Sequence, residues 1–136
     1  MERVKKALQL VTASAVLIGM GFFIAIFTFG EDVIALFLNA GNEAVLAFAV
    51  YGAKLYAFAF LVNGLNIVVA GYFTAIGIPR QAVLVALSKG IVWVAAGIAV
   101  LPVLFGVHGI WLTVPIAEFV TVMLSGGLMY KHFRYN

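Results

Sequence analysis

Cysteine is absent from the 136-residue sequence, and charged residues are scarce. Without cysteine, the chain forms neither disulfide bonds nor thiolate metal sites. Aspartate, glutamate, lysine and arginine make up 10% of the residues, whereas hydrophobic residues make up 65%. About a quarter of the residues in a typical soluble domain are charged, so this chain has too little polar surface to fold in water. The composition predicts an integral membrane protein surrounded by a lipid bilayer.

Patterns that carry catalysis or nucleotide binding are also missing from the sequence. Gly71 and Gly77 follow no predicted strand and precede no Gly-Lys-Ser/Thr sequence, so they do not form a phosphate loop. His108 has no second histidine near it and no spacing typical of a metal site. The basic residues are scattered at the ends of apolar segments, so nothing indicates a nucleic-acid partner. The sequence therefore predicts no enzyme, no metal site and no organic cofactor.

Four apolar segments are long enough to cross a membrane, since a helical span requires about 20 residues. The predicted helices cover residues 7–30, 44–77, 81–105 and 109–130. Residues 32–39 are too short to span and are predicted to lie at the membrane interface. Asn42 is predicted to cap the second helix. The predicted fold is all-α, with residues 1–136 forming one partial transmembrane lobe of four helices.

The charges at the ends of the predicted helices indicate the orientation of the chain. Four spans place both termini on one side of the membrane. The basic residues on that side are Arg3, Lys5, Lys6, Arg80, Lys131 and Arg134. The charged residues predicted on the other side are Glu31, Asp32, Glu43 and Lys54. By the positive-inside rule, the termini are predicted to be cytoplasmic in a multi-pass protein of the plasma membrane.

Small residues form a stripe along the first predicted helix. Ser14, Gly21 and Thr28 recur every seven residues, and Ala25 lies beside them. Small residues allow close packing between helices in lipid. We therefore expect this stripe to face a neighbouring helix.

The second predicted helix has a small and polar face opposite a bulky apolar face. At 100° per residue, Tyr56, Asn63 and Thr74 lie within a narrow stripe, with Asn66 at its edge. Polar groups inside a span face protein or a water-filled cavity rather than lipid. These four residues are therefore candidates for lining a cavity. The alternative is that the two amides only form hydrogen bonds to another helix, which contribute about 1 kcal/mol each.

Glu118 is the one acidic residue inside a predicted span. A carboxylate at this depth is costly unless it is paired, hydrated or protonated. One interpretation is a proton or cation site on a transport pathway. The other is a structural ion pair, for which Lys89 is the available partner because the two residues differ in depth by about 5 Å. Both interpretations remain open at this point.

Several stretches, in this order and spacing, resemble the last four helices of the multidrug and toxic compound extrusion (MATE) family of antiporters. They are IALF (34–37), NEAV (42–45), NG (63–64), GYFTAIGIPR (71–80), LSKG (87–90), LP (101–102), GVHGIW (106–111) and PIAE (115–118). The resemblance implies the export of drugs or metabolites, organic cations among them, driven by entry of H⁺ or Na⁺. In such transporters two six-helix lobes rock around a central cavity.

The chain also departs from that family. It supplies four helices of about twelve, so the remaining N-terminal helices or a second copy of the chain would be needed to complete the cavity. Some members carry an acidic cation-binding residue in the helix that matches residues 55–78, and this helix has none.

Besides a fragment of an efflux antiporter, three other interpretations of the chain are open. A small four-helix multidrug transporter would act as a homodimer with Glu118 at its centre. A related lipid-linked oligosaccharide flippase fragment would need more basic residues in its cavity than Lys89 alone. A membrane scaffold without transport activity would use Glu118, Asn63 and Asn66 for folding only.

Overall fold

Four long helices make up the computed structural model, which describes residues 2–38 and 42–135. The helices are α1 (Glu2–Phe37), α2 (Glu43–Ala75), α3 (Pro79–Phe105) and α4 (Val107–Tyr135). Each is long and apolar enough to cross a membrane, and no strand occurs in the two described ranges. The all-α prediction is confirmed, and the chain is a multi-pass membrane protein.

Short turns and caps join the helices. The Asn42 side chain accepts a hydrogen bond from the backbone N–H of Val45 at 3.3 Å, so the predicted cap of α2 is confirmed. Between α2 and α3 the chain turns at Gly77, where φ is +77°, and between α3 and α4 it turns at Gly106, where φ is +61°. Residues with a β-carbon avoid this left-handed region, so glycine suits both turns. Pro79 begins α3, where its missing N–H costs no hydrogen bond.

The segment predicted to lie at the membrane interface as a separate piece, 32–39, instead continues the first helix. α1 runs without interruption to Phe37, and the N–H of Leu38 still bonds to the carbonyl of Ile34 at 3.2 Å. The predicted end of the helix at residue 30 was wrong because Glu31 and Asp32 favour water without breaking a helix, and no proline lies between residues 30 and 38. The position of this segment at the membrane interface stays a prediction. Residue 39 lies outside the described ranges.

The helix α2 lies at the centre of the bundle. It packs against α1 on one side and against α4 on another, and the N-terminal part of α3 also contacts it. The rest of α3 packs along α4. Among the described residues, α1 packs along α2 and along neither α3 nor α4. The chain therefore consists of a three-helix core, α2–α3–α4, with α1 attached to one face of α2.

Contacts near the ends of the helices place both termini at the same end of the bundle. Lys5 Nζ lies 5.9 Å from the centre of the Phe133 ring, which joins the start of α1 to the end of α4. The rings of Phe73 and His132 lie 5.7 Å apart, which brings the end of α2 to the same place. This arrangement matches the even number of spans expected from the sequence. At the opposite end, Lys54 Nζ lies 5.9 Å from the Phe27 ring.

The stripe of α1 that packs against α2 is not the stripe that was predicted. Gly19 is buried against the backbone of Phe60, and Ala15 contacts Gly64 so closely that a β-carbon at Gly64 would lie 3.1 Å from that of Ala15. The predicted residues all lie exposed: Ser14, Gly21, Ala25 and Thr28. The Thr28 hydroxyl bonds to the Ile24 carbonyl of its own helix at 2.8 Å. The prediction was wrong because α1 has two sets of small residues, and the set beside the phenylalanines makes the larger dispersion contact.

Candidate functional site

Polar side chains meet where α2, α3 and α4 come together. They form a polar cluster, defined here as Asn63, Asn66, Lys89, Glu118 and Ser125. The fully buried residues around it are mostly small or polar, and Asn66, Thr121 and Ser125 are each 0% exposed. A polar centre inside an apolar exterior is the reverse of a soluble protein, and in a membrane such groups are costly unless they are paired.

An ion pair between Lys89 and Glu118 is the strongest interaction in the polar cluster. Lys89 Nζ lies 3.2 Å from Glu118 Oε1, and the two side chains are 25% and 10% exposed. The ammonium also donates a hydrogen bond to Asn63 Oδ1 at 2.7 Å. Helix depth in the sequence had named Lys89 as a possible partner of Glu118, and the structure places the two side chains next to each other.

A local widening of α3 presents Lys89 to its partners. Residues Ser88–Val92 form a π-helical turn between the α-helical stretches Pro79–Leu87 and Trp93–Phe105. Such turns are rare, because their hydrogen bonds are less favourable, and they are common at functional sites. The turn adds one residue to the helix period, so it sets the direction in which Lys89 points relative to the rest of α3.

Asn66 connects the carboxylate to a hydroxyl on α4. Its Nδ2 donates to Glu118 Oε2 at 2.8 Å and to the Glu118 backbone carbonyl at 3.1 Å. Its Oδ1 accepts from Ser125 Oγ at 2.9 Å. Both ends of this fully buried amide are therefore satisfied, and the carboxylate is held from two sides by a cation and an amide.

The arrangement suits the binding and release of an ion or polar group rather than covalent chemistry. Glu118 supplies one titratable carboxylate, and Lys89 supplies one counter-charge. The nearby Thr121 hydroxyl bonds to the Ala117 carbonyl of its own helix at 2.7 Å and has no base beside it. No group of three or more metal-binding side chains occurs among the described residues. What remains is a neutral, charge-paired site near the middle of the spans.

Two of the predicted cavity-lining residues do not join the polar cluster. Tyr56 is 39% exposed, and its ring lies edge-on to that of Phe60, with 6.1 Å between the centres. Thr74 is exposed, and its hydroxyl bonds to the Ala70 carbonyl at 2.9 Å. Both share the helix face of Asn63 by periodicity. A neighbouring helix covers a straight stripe only where the two cross, so only the centre of this stripe is covered.

Ser125 belongs to the polar cluster, although no functional role was predicted for it. The signal was present, since Ser125 lies seven residues after Glu118 on the same face of α4. A second unpredicted contact occurs near the end of the bundle opposite the termini, where Tyr51 Oη lies 2.8 Å from His108 Nδ1. Nothing in the sequence links these two residues, because they are 57 positions apart and belong to different helices.

A groove between α1 and α2 reaches the edge of the polar cluster. Its volume is about 320 Å³, and Asn63 is its one amide side chain. The remaining lining is apolar or small and includes Ile18, Phe22 and Val68. Asn63 therefore lies between two environments, with the charged pair on one side and an apolar groove on the other.

Comparison with known proteins finds distant relatives that are exporters. The chain is 27% identical over 128 residues to the multidrug export protein MepA of Staphylococcus aureus strain bovine RF122 / ET3-1. The same identity and length are found with the MepA proteins of Staphylococcus saprophyticus and of Staphylococcus aureus strain MRSA252. Each alignment covers 94% of this chain but 28% of the relative, so the chain spans less than a third of the length of the curated relatives it matches.

The other two comparisons return nothing. No protein-family profile matches the chain, and no solved structure matches it. The relation to multidrug export proteins therefore depends on the pairwise alignments.

Proposed function

We propose that this chain is part of a secondary active efflux antiporter of the MATE type. The complete antiporter would export drugs or metabolites in exchange for H⁺ or Na⁺. The observation that carries the proposal is the polar cluster, in which a buried carboxylate and an ammonium are paired between three membrane-spanning helices. Ionisable residues inside a membrane bundle commonly mark an ion or substrate pathway. The alignment with multidrug export proteins over 94% of the chain supports the same assignment.

Alternating access explains why four helices are not enough for this function. The mechanism needs two halves that move against each other around a site near the midplane. In this chain the polar cluster joins α2, α3 and α4, while α1, among the described residues, packs along α2 only and contributes no side chain to the cluster. We propose that further transporter helices, or a second copy of the chain, form the opposite half. The exported molecule is proposed to be a small organic compound, with organic cations as the first class to test.

The proposed location is the plasma membrane, with both termini in the cytoplasm. The structure brings the start of α1, the end of α2 and the end of α4 to one end of the bundle. The basic residues of the sequence concentrate at that end, and the positive-inside rule then supports a cytoplasmic side.

A segment exchange tests the proposal. The segment of a Staphylococcus aureus MepA that aligns with this chain is replaced by the chain, and the accumulation of a fluorescent organic cation is measured in cells that lack other exporters. The proposal predicts that the chimera lowers dye accumulation, whereas the chain alone does not. Export by the chain alone would favour the homodimeric four-helix transporter. No export by either protein, with both inserted in the membrane, would contradict the proposal.

Two matched variants show whether the polar cluster takes part. Glu118→Gln keeps the size of the side chain and one acceptor oxygen, replaces the other oxygen by an NH2 donor and removes the charge. Asp32→Asn makes the same chemical change at an exposed residue far along the chain from the cluster. Export is expected to fall at least tenfold with Glu118→Gln and to stay unchanged with Asp32→Asn. Equal export by both variants would favour a scaffold role for Glu118.

A further inference from the structure

Every carboxylate and amide oxygen in the polar cluster already accepts a hydrogen bond. Lys89 Nζ lies 3.2 Å from Glu118 Oε1 and 2.7 Å from Asn63 Oδ1. Asn66 Nδ2 lies 2.8 Å from Glu118 Oε2, while Asn66 Oδ1 accepts from Ser125 Oγ at 2.9 Å. A hard cation needs several oxygen ligands directed at one point. A sodium ion would therefore have to displace three separate donors before it had a coordination shell.

The charge of the site opposes sodium as well. The ammonium of Lys89 already balances the carboxylate of Glu118 at 3.2 Å. A second cation at Glu118 would lie close to this ammonium, and the repulsion between two like charges is strong where little water screens it. The described residues place no other carboxylate within 4.0 Å of Lys89 that would offset the added charge.

A proton makes smaller demands on the same site. It needs one lone pair of the carboxylate and no shell of oxygen ligands. Once Glu118 is neutral, Lys89 still has Asn63 Oδ1 as a hydrogen-bond acceptor. Asn66 can still donate to the Glu118 backbone carbonyl. Lys89 and Asn66 therefore each keep a hydrogen bond after protonation, and Lys89, which is 25% exposed, loses only its counter-charge.

We propose that the ion exchanged at the polar cluster is a proton, taken up by Glu118, and that Lys89 excludes sodium from the site. This inference rests on the proposed function, because it names the ion that would drive export. In the binding step, a proton from water forms an O–H bond with Glu118 Oε1 and the ion pair is lost, while Lys89 keeps its own proton. In the release step the O–H bond breaks, the proton returns to water on the other side, and the ion pair forms again.

The groups that face Glu118 come from two helices. Lys89 on α3 is the charged one, and Asn66 on α2 is the neutral one that touches the carboxylate. Asn63, also on α2, acts on the carboxylate through Lys89. Protonation is therefore expected to depend on Lys89 more than on any other side chain near the site.

Infrared difference spectroscopy on the full chain in lipid nanodiscs tests whether Glu118 takes up a proton. Spectra recorded in acidic and in alkaline buffer report the C=O stretch of protonated carboxyl groups. We expect a component that appears on acidification in the wild type and in Asp32→Asn and is lost in Glu118→Gln. Identical difference spectra for the wild type and Glu118→Gln would overturn the proposal, because Glu118 would then take up no proton.

Thermal unfolding in sodium chloride and in choline chloride of equal ionic strength tests the exclusion of sodium. The wild type and Lys89→Arg, which keeps the positive charge, are expected to unfold at the same temperature in both salts. Lys89→Gln frees two oxygen acceptors, Glu118 Oε1 and Asn63 Oδ1, and removes the repulsion, so sodium is expected to raise its unfolding temperature. A sodium response of the wild type that Glu118→Gln lacks would overturn the proposal, and so would a folded Lys89→Gln without any response. If Lys89→Gln does not fold, the wild-type comparison decides.

These experiments distinguish a failure of the proton proposal from a failure of the proposed export function. Export by the MepA chimera that is driven by a sodium gradient alone would leave the proposed function in place and overturn the proton. Absence of export would contradict the proposed function, while the infrared component at Glu118 would still show whether the site takes up a proton.

Discussion

The interface between α1 and α2 differs in kind from the junction of α2, α3 and α4. Along the first interface, phenylalanine rings stack, with 5.6 Å between the centres of Phe22 and Phe60 and 5.1 Å between those of Phe23 and Phe58. The described residues include no side-chain hydrogen bond between α1 and α2. At the junction, an ion pair and a chain of hydrogen bonds connect the three helices.

The difference shows which part of the chain can carry chemistry. Dispersion contacts between rings are individually small and depend on shape, so the ring contacts described between α1 and α2 contribute to stability and supply no ligand for an ion. A buried polar junction is favourable only while every member has its partner. The same sensitivity that makes the polar cluster costly to break allows one added proton to change the forces between three helices.

The largest effect is expected from breaking the charged pair on one side. Lys89→Met leaves the carboxylate of Glu118 without its cation inside the bundle. Removing one partner of a buried ion pair costs about 3–5 kcal/mol. We expect a loss of that order in the free energy of unfolding, measured by denaturant titration in detergent micelles.

A second substitution sharpens the same test. Adding Glu118→Gln to Lys89→Met removes the unpaired charge, so the double variant is expected to be more stable than Lys89→Met alone. Lys54→Met serves as the control, because this lysine lies over the Phe27 ring rather than in the polar cluster. A double variant as unstable as the sum of the two single variants would show that the two charges do not interact.

A smaller effect is expected from overfilling the apolar interface. Gly19 lies against the backbone of Phe60, so Gly19→Leu forces α1 away from α2 at an expected cost of about 1–3 kcal/mol. Gly21→Leu is the matched control, since no atom lies within 4 Å of a β-carbon placed there. Because the chain has no native cysteine, a disulfide between Ala15→Cys and Gly64→Cys reports this interface alone.

The outcome separates the two regions. We expect Gly19→Leu to reduce formation of that disulfide while the infrared component of Glu118 remains. Loss of both signals together would mean that the α1–α2 interface and the polar cluster fold as one unit.

The smallest effect is expected within the polar stripe of α2. Asn63→Ala removes one hydrogen bond to Lys89 and is expected to cost about 1 kcal/mol. Thr74→Val changes a hydroxyl that bonds only to its own helix and is expected to leave stability within 0.5 kcal/mol, as for a typical surface substitution. Equal losses for the two variants, measured by the same titration, would mean that the whole stripe faces protein.

The number of helices and the charged pair were predictable because both are encoded locally. Apolar runs of the right length define the spans, and a charge inside a span must find the nearest opposite charge at its depth. Lys89 could therefore be named as the available partner of Glu118 from the sequence, beside the alternative of a transport site.

The choice of faces was not predictable, because it depends on how the helices pack. In lipid, the stripe with Ser14 and Gly21 and the stripe with Ala15 and Gly19 allow equally close packing of a neighbouring helix. Periodicity alone therefore cannot predict which of the two stripes of α1 packs against α2. The π-helical turn Ser88–Val92 has no recognisable pattern in the sequence. Thr74 is exposed because the neighbouring helices cross α2 elsewhere. The positions of these crossings cannot be predicted from the sequence of one helix.

Export and stability measured together for Glu118→Gln in the MepA chimera test the central claim that the polar cluster is a functional site. Glutamine keeps one oxygen that can accept from Lys89, and the partly exposed ammonium keeps Asn63 Oδ1 as an acceptor, so we expect the free energy of unfolding to fall by about 1–3 kcal/mol, less than for Lys89→Met. Export is expected to fall at least tenfold at equal protein level. Full export by this variant, or a loss of export that only follows a loss of folded protein, would contradict the account.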